Sequence, residues 1–248
     1  MKKFLALGYG ISCYLLFNGV FLYFIAVTGD FIVAKTVDSG VPVPLIQGLI
    51  VNLLLIALFG VQHSLMARPR FKQWWLKIIP ISIERSTYVL FSSITLILLC
   101  WLWQPLPTLV WQVTHPAGYG VLQGLFWFGW LLSLLATFLI NHFDLLGIRQ
   151  VYLYWQGQPY SPVPFREVLI YKQIRHPIML GTLIGLWATP TMTVGHLLLA
   201  LGFSSYIFIG IRLEKKDMLN IHGSFYEKYR QKTSMVMFPF WKIIKGGN

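Results

Sequence analysis

Apolar runs long enough to cross a bilayer recur along this chain, at residues 4–27, 44–66, 86–104 and 118–141, and a fifth apolar region covers 178–211. A spanning helix needs about 20 such residues, because the hydrocarbon core is about 30 Å thick and a helix rises about 1.5 Å per residue. Backbone exposed to lipid must pair all its own N–H and C=O groups, so each run reads as a helix. The fifth region is too long for one untilted helix, and Ala188-Thr189-Pro190-Thr191-Met192-Thr193 interrupts it near its middle. Proline lacks an amide hydrogen and crowds the turn before it. The region is therefore predicted to be two antiparallel helices with a tight turn at Pro190, the first of which, 178–189, is short for a full crossing. The expected fold is all-α, a polytopic membrane helical bundle of about six transmembrane segments, with a carboxy-terminal hairpin and an interfacial helix.

Only 11% of the 248 residues are charged, against about 25% in a soluble domain. The net charge of +12 would suggest a nucleic-acid partner in a soluble protein. Here the charges sit in short clusters between apolar runs, so no nucleic-acid partner is expected and the bilayer is. The amino end carries +2, loop 28–43 −1, loop 67–85 +4, loop 105–117 nothing, stretch 142–177 +2 and the tail from Arg212 +5. Positive charge thus falls on alternate loops, which places both termini and loops 67–85 and 142–177 in the cytoplasm. Lys2 and Lys3 precede an apolar run longer than the roughly 7 to 15 residues of a cleaved signal core, so the first helix reads as a retained anchor. Cys13 and Cys100 lie inside apolar runs with no Cys or His at ligand spacing, and are expected to be buried and reduced. Without repeats or low-complexity segments, residues 1–248 read as one domain: four helices in 1–141, a cytoplasmic cap in 142–177, and a hairpin and tail in 178–248. No feature of the sequence fixes an oligomeric state.

The reactive side chains cluster at the cytoplasmic helix ends: Gln62-His63-Ser64, Glu84-Arg85-Ser86-Thr87-Tyr88, Asn141-His142-Phe143-Asp144 with Arg149-Gln150, and Arg175-His176-Pro177 with Glu214 and His222. Ionisable groups near membrane depth are costly, which makes them functional candidates. Each also has a structural reading: a hydrogen-bonded helix-end histidine for His63, a helix cap for His142 and Asp144, a surface ion pair for Glu84 and Arg85. His115 and His196 stand apart and read as structural. No histidine pair has the i, i+3 or i, i+4 spacing of a helical metal motif and no cysteine accompanies them, so no metal is expected. Gly8-Tyr9-Gly10 and Gly118-Tyr119-Gly120 open apolar spans and suit close helix packing, not a nucleotide loop.

The string Arg175-His176-Pro177-Ile178-Met179-Leu180-Gly181 opens a helix with proline in its first turn. A hairpin returns Glu214 to the same side, and the aromatic and basic segment 214–232 is expected to fold back along the interface and roof a pocket. Donors for a carboxylate, an acid for an ammonium and aromatics for a planar ring suit S-adenosylmethionine. The run Arg175-His176-Pro177 to Gly181, then Glu214, then Tyr226-Glu227-Lys228-Tyr229 resembles the mark of the membrane methyltransferases that include isoprenylcysteine carboxyl methyltransferase, with Met179 where that superfamily often has Tyr. Over almost the whole chain, the blocks Phe59–Pro69, Glu84–Tyr88, Asn141–Leu145 with Gly147–Val151, and Arg175–Gly181 with Trp187–Pro190 resemble the bacterial methanethiol S-methyltransferases.

What this resemblance implies is an enzyme of the bacterial cytoplasmic (inner) membrane that methylates methanethiol or a similar small thiol. The methyl donor would be S-adenosylmethionine, and the products dimethyl sulfide and S-adenosylhomocysteine. The reaction is an in-line attack by a thiolate, so a base is expected among His63, His142 and Asp144, the aspartate orienting a histidine. Arg149 and Gln150 would complete that network or close a lid over 143–172. Arg175, His176, Gly181, Glu214, His222, Tyr226 and Tyr229 are expected at the cofactor. The thiol pocket is expected to be small and apolar, lined by the second to fourth spans and reached through the bilayer. Two alternatives carry the same scaffold: an isoprenylcysteine carboxyl methyltransferase-like enzyme with a larger substrate, and a non-enzymatic haem-binding or transport accessory protein.

Overall fold

In the computed structural model the described residues are 1–164 and 167–236, the side chains of residues 221 and 222 excepted. The chain runs α1 (Lys2–Gly29), α2 (Leu45–Ala67), α3 (Pro69–Trp75), α4 (Ile81–Leu102), β1 (Leu109–Gln112), α5 (Pro116–Ile140), α6 (His142–Leu145), α7 (Ile148–Gln156), a 3-10 turn (Leu169–Lys172), α8 (Pro177–Trp187), β2 (Thr191–Thr193) and α9 (Val194–Lys232). Prolines set several helix starts, with Pro69, Pro116 and Pro177 in first turns, where their missing amide costs nothing. Helices α1, α2, α4, α5 and the Val194–Asn220 part of α9 are long and apolar enough to cross a membrane. With 11 residues, α8 spans about 16 Å, half the hydrocarbon core. It is the short arm of the hairpin, and the whole is a polytopic membrane helical bundle.

Helix α1 packs on α4 and α7, α2 lies between α4 and α9, and α5 pairs with α8. The last pair is the tightest, because a Cβ on Gly129 would lie 2.5 Å from the Gly185 nitrogen and one on Gly185 2.7 Å from the Trp130 ring. Small residues let the two backbones touch, which is how helices associate where lipid removes the hydrophobic drive. An aromatic core that includes Phe24, Phe59, Trp130 and Phe203 fills the middle of the bundle.

At the end of the bundle whose loops carry little charge, the structure adds something the sequence reading missed. The turn expected at Pro190 is a short strand, β2, that pairs antiparallel with β1 from the uncharged loop, Leu109 opposite Thr193 and Gln112 opposite Thr191. The backbone polar groups of both loops need partners where the helices end, and the two loops supply them to each other. Buried Asn52 clasps the same loop, donating to the Gln104 carbonyl and accepting from its amide, each at 2.8 Å.

The basic end differs in two further ways. Helix α4 starts at Ile81 instead of 86, which takes Glu84 and Arg85 into its first turns. Helix α9 continues past Glu214 instead of folding back there, held by an ion pair of 2.8 Å between Asp217 and Arg68 at the end of α2. The fold-back comes at Gly223, whose φ of 51° and ψ of −128° break the helix. Beyond it the chain returns to the start of α8, where the Arg175 amide donates to the Ser234 carbonyl at 2.9 Å and the Ser234 amide to the Gln173 carbonyl at 2.8 Å.

Candidate active site

Two adjoining cavities lie at the basic end. The outer, of about 520 Å³, is walled by connecting segments and the tail, among them Lys72, Asn141, Asp144, Tyr160 and Tyr226. The inner, of about 390 Å³, is walled by the spans, with Phe17 and Phe21 from α1, His63 from α2, Tyr88 and Ser92 from α4 and Leu134 from α5. Arg85, Tyr171, Arg175, His176 and Glu214 border both, so they form a septum between the two spaces.

The outer wall begins with a turn that only certain residues can make. Asn141, at φ 147°, ends α5 and accepts the Asp144 amide on its side-chain oxygen at 3.1 Å, starting α6. Gly147 follows at φ 89°, and a Cβ there would meet the Ser86 nitrogen at 2.6 Å, so neither its backbone nor its surroundings accept a side chain. Into that turn α4 inserts Arg85, whose Nε donates to the Leu145 carbonyl at 2.6 Å. Asp144 accepts from Arg149 at 2.9 Å and from the Tyr160 hydroxyl at 3.4 Å, and Arg149 also donates to the Ser161 carbonyl at 2.7 Å. Gln150 gives its amide to the Asp144 carbonyl at 3.0 Å. Its Oε1 is buried without a hydrogen-bond partner among the described residues, an acceptor in the cavity wall waiting for a donor.

The tail closes the other side. Tyr229 donates its hydroxyl to the Tyr171 carbonyl at 2.6 Å, and Arg175 donates to the carbonyls of Arg230 at 2.8 Å and Thr233 at 2.6 Å. Burial, reinforced by Arg175, holds His176 down at about 4, so the imidazole is neutral. Its Nδ1 lies 3.6 Å from Glu214, a contact too long for a hydrogen bond. Burial also lowers Lys72, aided by Arg85, and raises Tyr160, aided by Asp144; the outer cavity is a place where charge is poorly hydrated.

In the inner cavity hydrogen-bond chains fix what His63 and His142 can do. Thr137 gives its own proton to the Leu134 carbonyl at 2.6 Å, so at 2.7 Å it accepts from His142 Nδ1. That leaves His142 Nε2 to accept the Tyr14 hydroxyl at 3.1 Å, and both ring nitrogens are engaged. Burial favours this neutral form. Ser92 likewise gives its proton to the Tyr88 carbonyl at 2.9 Å and accepts from His63 Nδ1 at 3.2 Å. His63 Nε2 is then a lone pair with no hydrogen-bond partner among the described residues, in a ring packed on Tyr88 with centroids 5.0 Å apart.

The expected residues therefore separate. His63 and His142 face the inner cavity; Asp144, Gln150, Tyr226 and Tyr229 face the outer; Arg175, His176 and Glu214 stand between them. Asp144 is bonded to Arg149 and Tyr160, and among the described residues it has no bond to a histidine. Arg149 braces the lid without lining either cavity, and Gly181 sits at the α5–α8 crossing, where a Cβ would meet Ser133 at 2.6 Å. The His222 side chain lies outside the described residues. The inner cavity, walled by the spans as the thiol pocket was expected to be, measures about 390 Å³. Lys72, Ser92, Tyr160 and Tyr171 line the cavities without standing in any of the clusters read from the sequence, and Arg85 and Tyr88, candidates there with no assigned role, line them too. Arg85, Tyr88 and Ser92 share a face of α4 at helical spacing, a signal hidden while α4 was taken to begin at 86.

No family model and no solved structure matches the chain. Named relatives do. The chain is 48% identical over 96% of its length to the methanethiol S-methyltransferase of Mycobacterium tuberculosis, of which the alignment covers 97%. It is 49% identical over 84% of its length to that of Pseudomonas deceptionensis, covering 80% of it. A more distant likeness, 31% identity over 73% of the chain, links it to nurim of Xenopus laevis, covering 68% of that protein.

Proposed function

The chain belongs to the methanethiol S-methyltransferase family, and from that premise we propose that it methylates methanethiol to dimethyl sulfide with S-adenosylmethionine as donor. The observation that carries this reading is the septum: two cavities of different chemistry share one wall, whose polar side chains are Arg85, Tyr171, Arg175, His176 and Glu214 and whose apolar ones are Ile140 and Leu145. An in-line transfer needs two sites that meet at one point, and holding both partners there supplies several kcal/mol of the barrier reduction.

The outer cavity fits the donor. Its volume lies within the range of small-molecule sites, Glu214 suits an ammonium, Lys72 a carboxylate, the Tyr160 and Tyr226 rings a flat base, and the orphan Gln150 Oε1 an amino N–H. When bound, the donor supplies an electrophilic methyl group on a sulfonium. The chain's own residues do the rest. An alkanethiol is largely protonated at neutral pH, since even a Cys thiol has a pKa of about 8.5. His63 Nε2 accepts that proton, with its ring held in the required tautomer by Ser92. Arg85 stands on the septum with its Nε committed to Leu145 and its guanidinium carbon 4.7 Å over the Tyr88 ring; its positive charge favours the thiolate over the thiol. Asp144 and Arg149 keep the lid in place, and Arg175 keeps the tail in place. The basic end faces the cytoplasm of an inner membrane, where a soluble donor is available, and the thiol arrives through the bilayer.

Family membership favours this over the isoprenylcysteine-type and haem-binding or transport readings. Headspace gas chromatography of the purified protein with S-adenosylmethionine and methanethiol tests it. Dimethyl sulfide from the wild type and at least tenfold less from Glu214→Ala is the expected result; no dimethyl sulfide from a wild type that binds S-adenosylhomocysteine would reject a methanethiol acceptor.

A further inference from the structure

The inner cavity is far larger than the substrate it has been given. At about 30 Å³ per water-sized group, its 390 Å³ has room for roughly a dozen non-hydrogen atoms, and methanethiol has two. Apart from His63 Nε2, the polar side chains that line it away from the septum are engaged in hydrogen bonds of their own. Ser133 donates to the Ile178 carbonyl at 2.7 Å and Thr182 to the same carbonyl at 3.0 Å. The Thr137, His142 and Tyr14 chain closes on itself, as does Ser92 with His63. The rest of the wall is mostly apolar, Phe17, Phe21, Leu134, Ile178 and Met179 among it. A wall of this kind holds water poorly and apolar atoms well, and the unbranched Met179 thioether adapts to the shape placed against it.

We propose that this site also methylates larger apolar thiols, alkanethiols and arylmethanethiols of about four to eight carbons, with the hydrocarbon in the inner cavity and the sulfur at the septum. The proposal rests on the methyltransferase reading above and extends its substrate class. The thiol proton passes to His63 and then to water. The freed sulfur lone pair forms the new carbon–sulfur bond to the donor methyl, and the electron pair of the broken sulfonium bond leaves on S-adenosylhomocysteine. The balance is the same for any thiol, so only the fit of the hydrocarbon decides which is used.

The test is kcat/KM for methanethiol, 1-butanethiol, 1-hexanethiol and phenylmethanethiol, each referred to its aqueous concentration, with the methyl thioether measured by gas chromatography and mass spectrometry. Each buried methylene is expected to raise kcat/KM about fourfold until the cavity is full. Leu134→Trp, which fills the cavity, lowers the ratio of hexanethiol to methanethiol turnover at least tenfold. A binding readout needs neither donor nor variant: hexyl methyl sulfide raises the Tm of the wild-type protein in detergent, and dimethyl sulfide at equal concentration does not. Butanethiol and hexanethiol turned over no better than methanethiol, or a Tm unmoved by hexyl methyl sulfide, would overturn the proposal while leaving methanethiol methylation intact. Failure of every thiol would instead remove the methyltransferase reading itself.

Discussion

Replacing His63 by alanine removes an imidazole nitrogen of the inner cavity, Nε2, that has no hydrogen-bond partner among the described residues. The Nδ1–H is spent on Ser92 at 3.2 Å and Ser92 on the Tyr88 carbonyl at 2.9 Å, so the ring cannot rotate without breaking its bond to Ser92. General base catalysis is worth about 10² to 10⁴ in rate, or about 3 to 5 kcal/mol of barrier. His63→Ala is expected to lower kcat/KM for methanethiol within that range at pH 7.5. Ser92→Ala leaves the base but frees its ring, removing one neutral hydrogen bond of about 0.5 to 1.5 kcal/mol, and is expected to cost about three- to tenfold. The decisive comparison uses a thiol acidic enough to be ionised at the assay pH. It arrives without a proton to lose, so the His63→Ala penalty should shrink below tenfold for it. An equal penalty for the acidic and the ordinary thiol, or a loss under threefold for methanethiol, would refute the role given to His63.

Three other outcomes follow from the geometry. His176 is held at about 4 by burial against an unfolded value of about 6.5; the unfolded chain binds more protons between these values, so stability complete above pH 6.5 is lost as pH falls toward 4. The loss is about 3 kcal/mol, and His176→Gln should flatten the difference in Tm between pH 7.5 and 5, while Asp38, raised to about 6 by burial, works the opposite way in both proteins and cancels in the comparison. Gly181→Val places side-chain atoms where a Cβ already meets Ser133 at 2.6 Å, so overpacking should cost about 1 to 3 kcal/mol or more, seen as a fall in Tm; an unchanged Tm with weakened cofactor binding would put Gly181 at the cofactor instead. Arg175→Ala deletes the donors that hold the Arg230 and Thr233 carbonyls, and should expose the tail beyond Gly223 to limited proteolysis and weaken S-adenosylhomocysteine at least tenfold; a protected tail would contradict the clamp.

How much of this was legible in the sequence depended on whether the signal was local. The spans were readable because a bilayer imposes a length and a composition on each run, and Pro190 marked the hairpin because its missing amide acts within one turn. Pairing of Leu109–Gln112 with Thr191–Thr193 was not readable, since an uncharged loop announces no partner. The fold-back was placed at Glu214 on amphipathic pattern alone, whereas the Arg68–Asp217 ion pair joins residues far apart in the chain and carries the helix on to Gly223. The site residues were found by chemistry at helix ends, and their distribution was not. Asp144 and His142 are near neighbours in sequence, yet the turn at Asn141 sends one into each cavity. Arg85 was visible as a charge, but its position on the septum came only with the contact to Leu145.

The central claim is that donor and acceptor occupy different cavities that meet at one wall, and calorimetric titration with S-adenosylhomocysteine of the wild type, Glu214→Ala and His63→Ala tests it most directly. The expected result is a Kd weakened at least tenfold in Glu214→Ala and unchanged within twofold in His63→Ala, whose defect lies in turnover alone. Loss of binding in His63→Ala with full affinity in Glu214→Ala would reverse the assignment of the two cavities and contradict the claim.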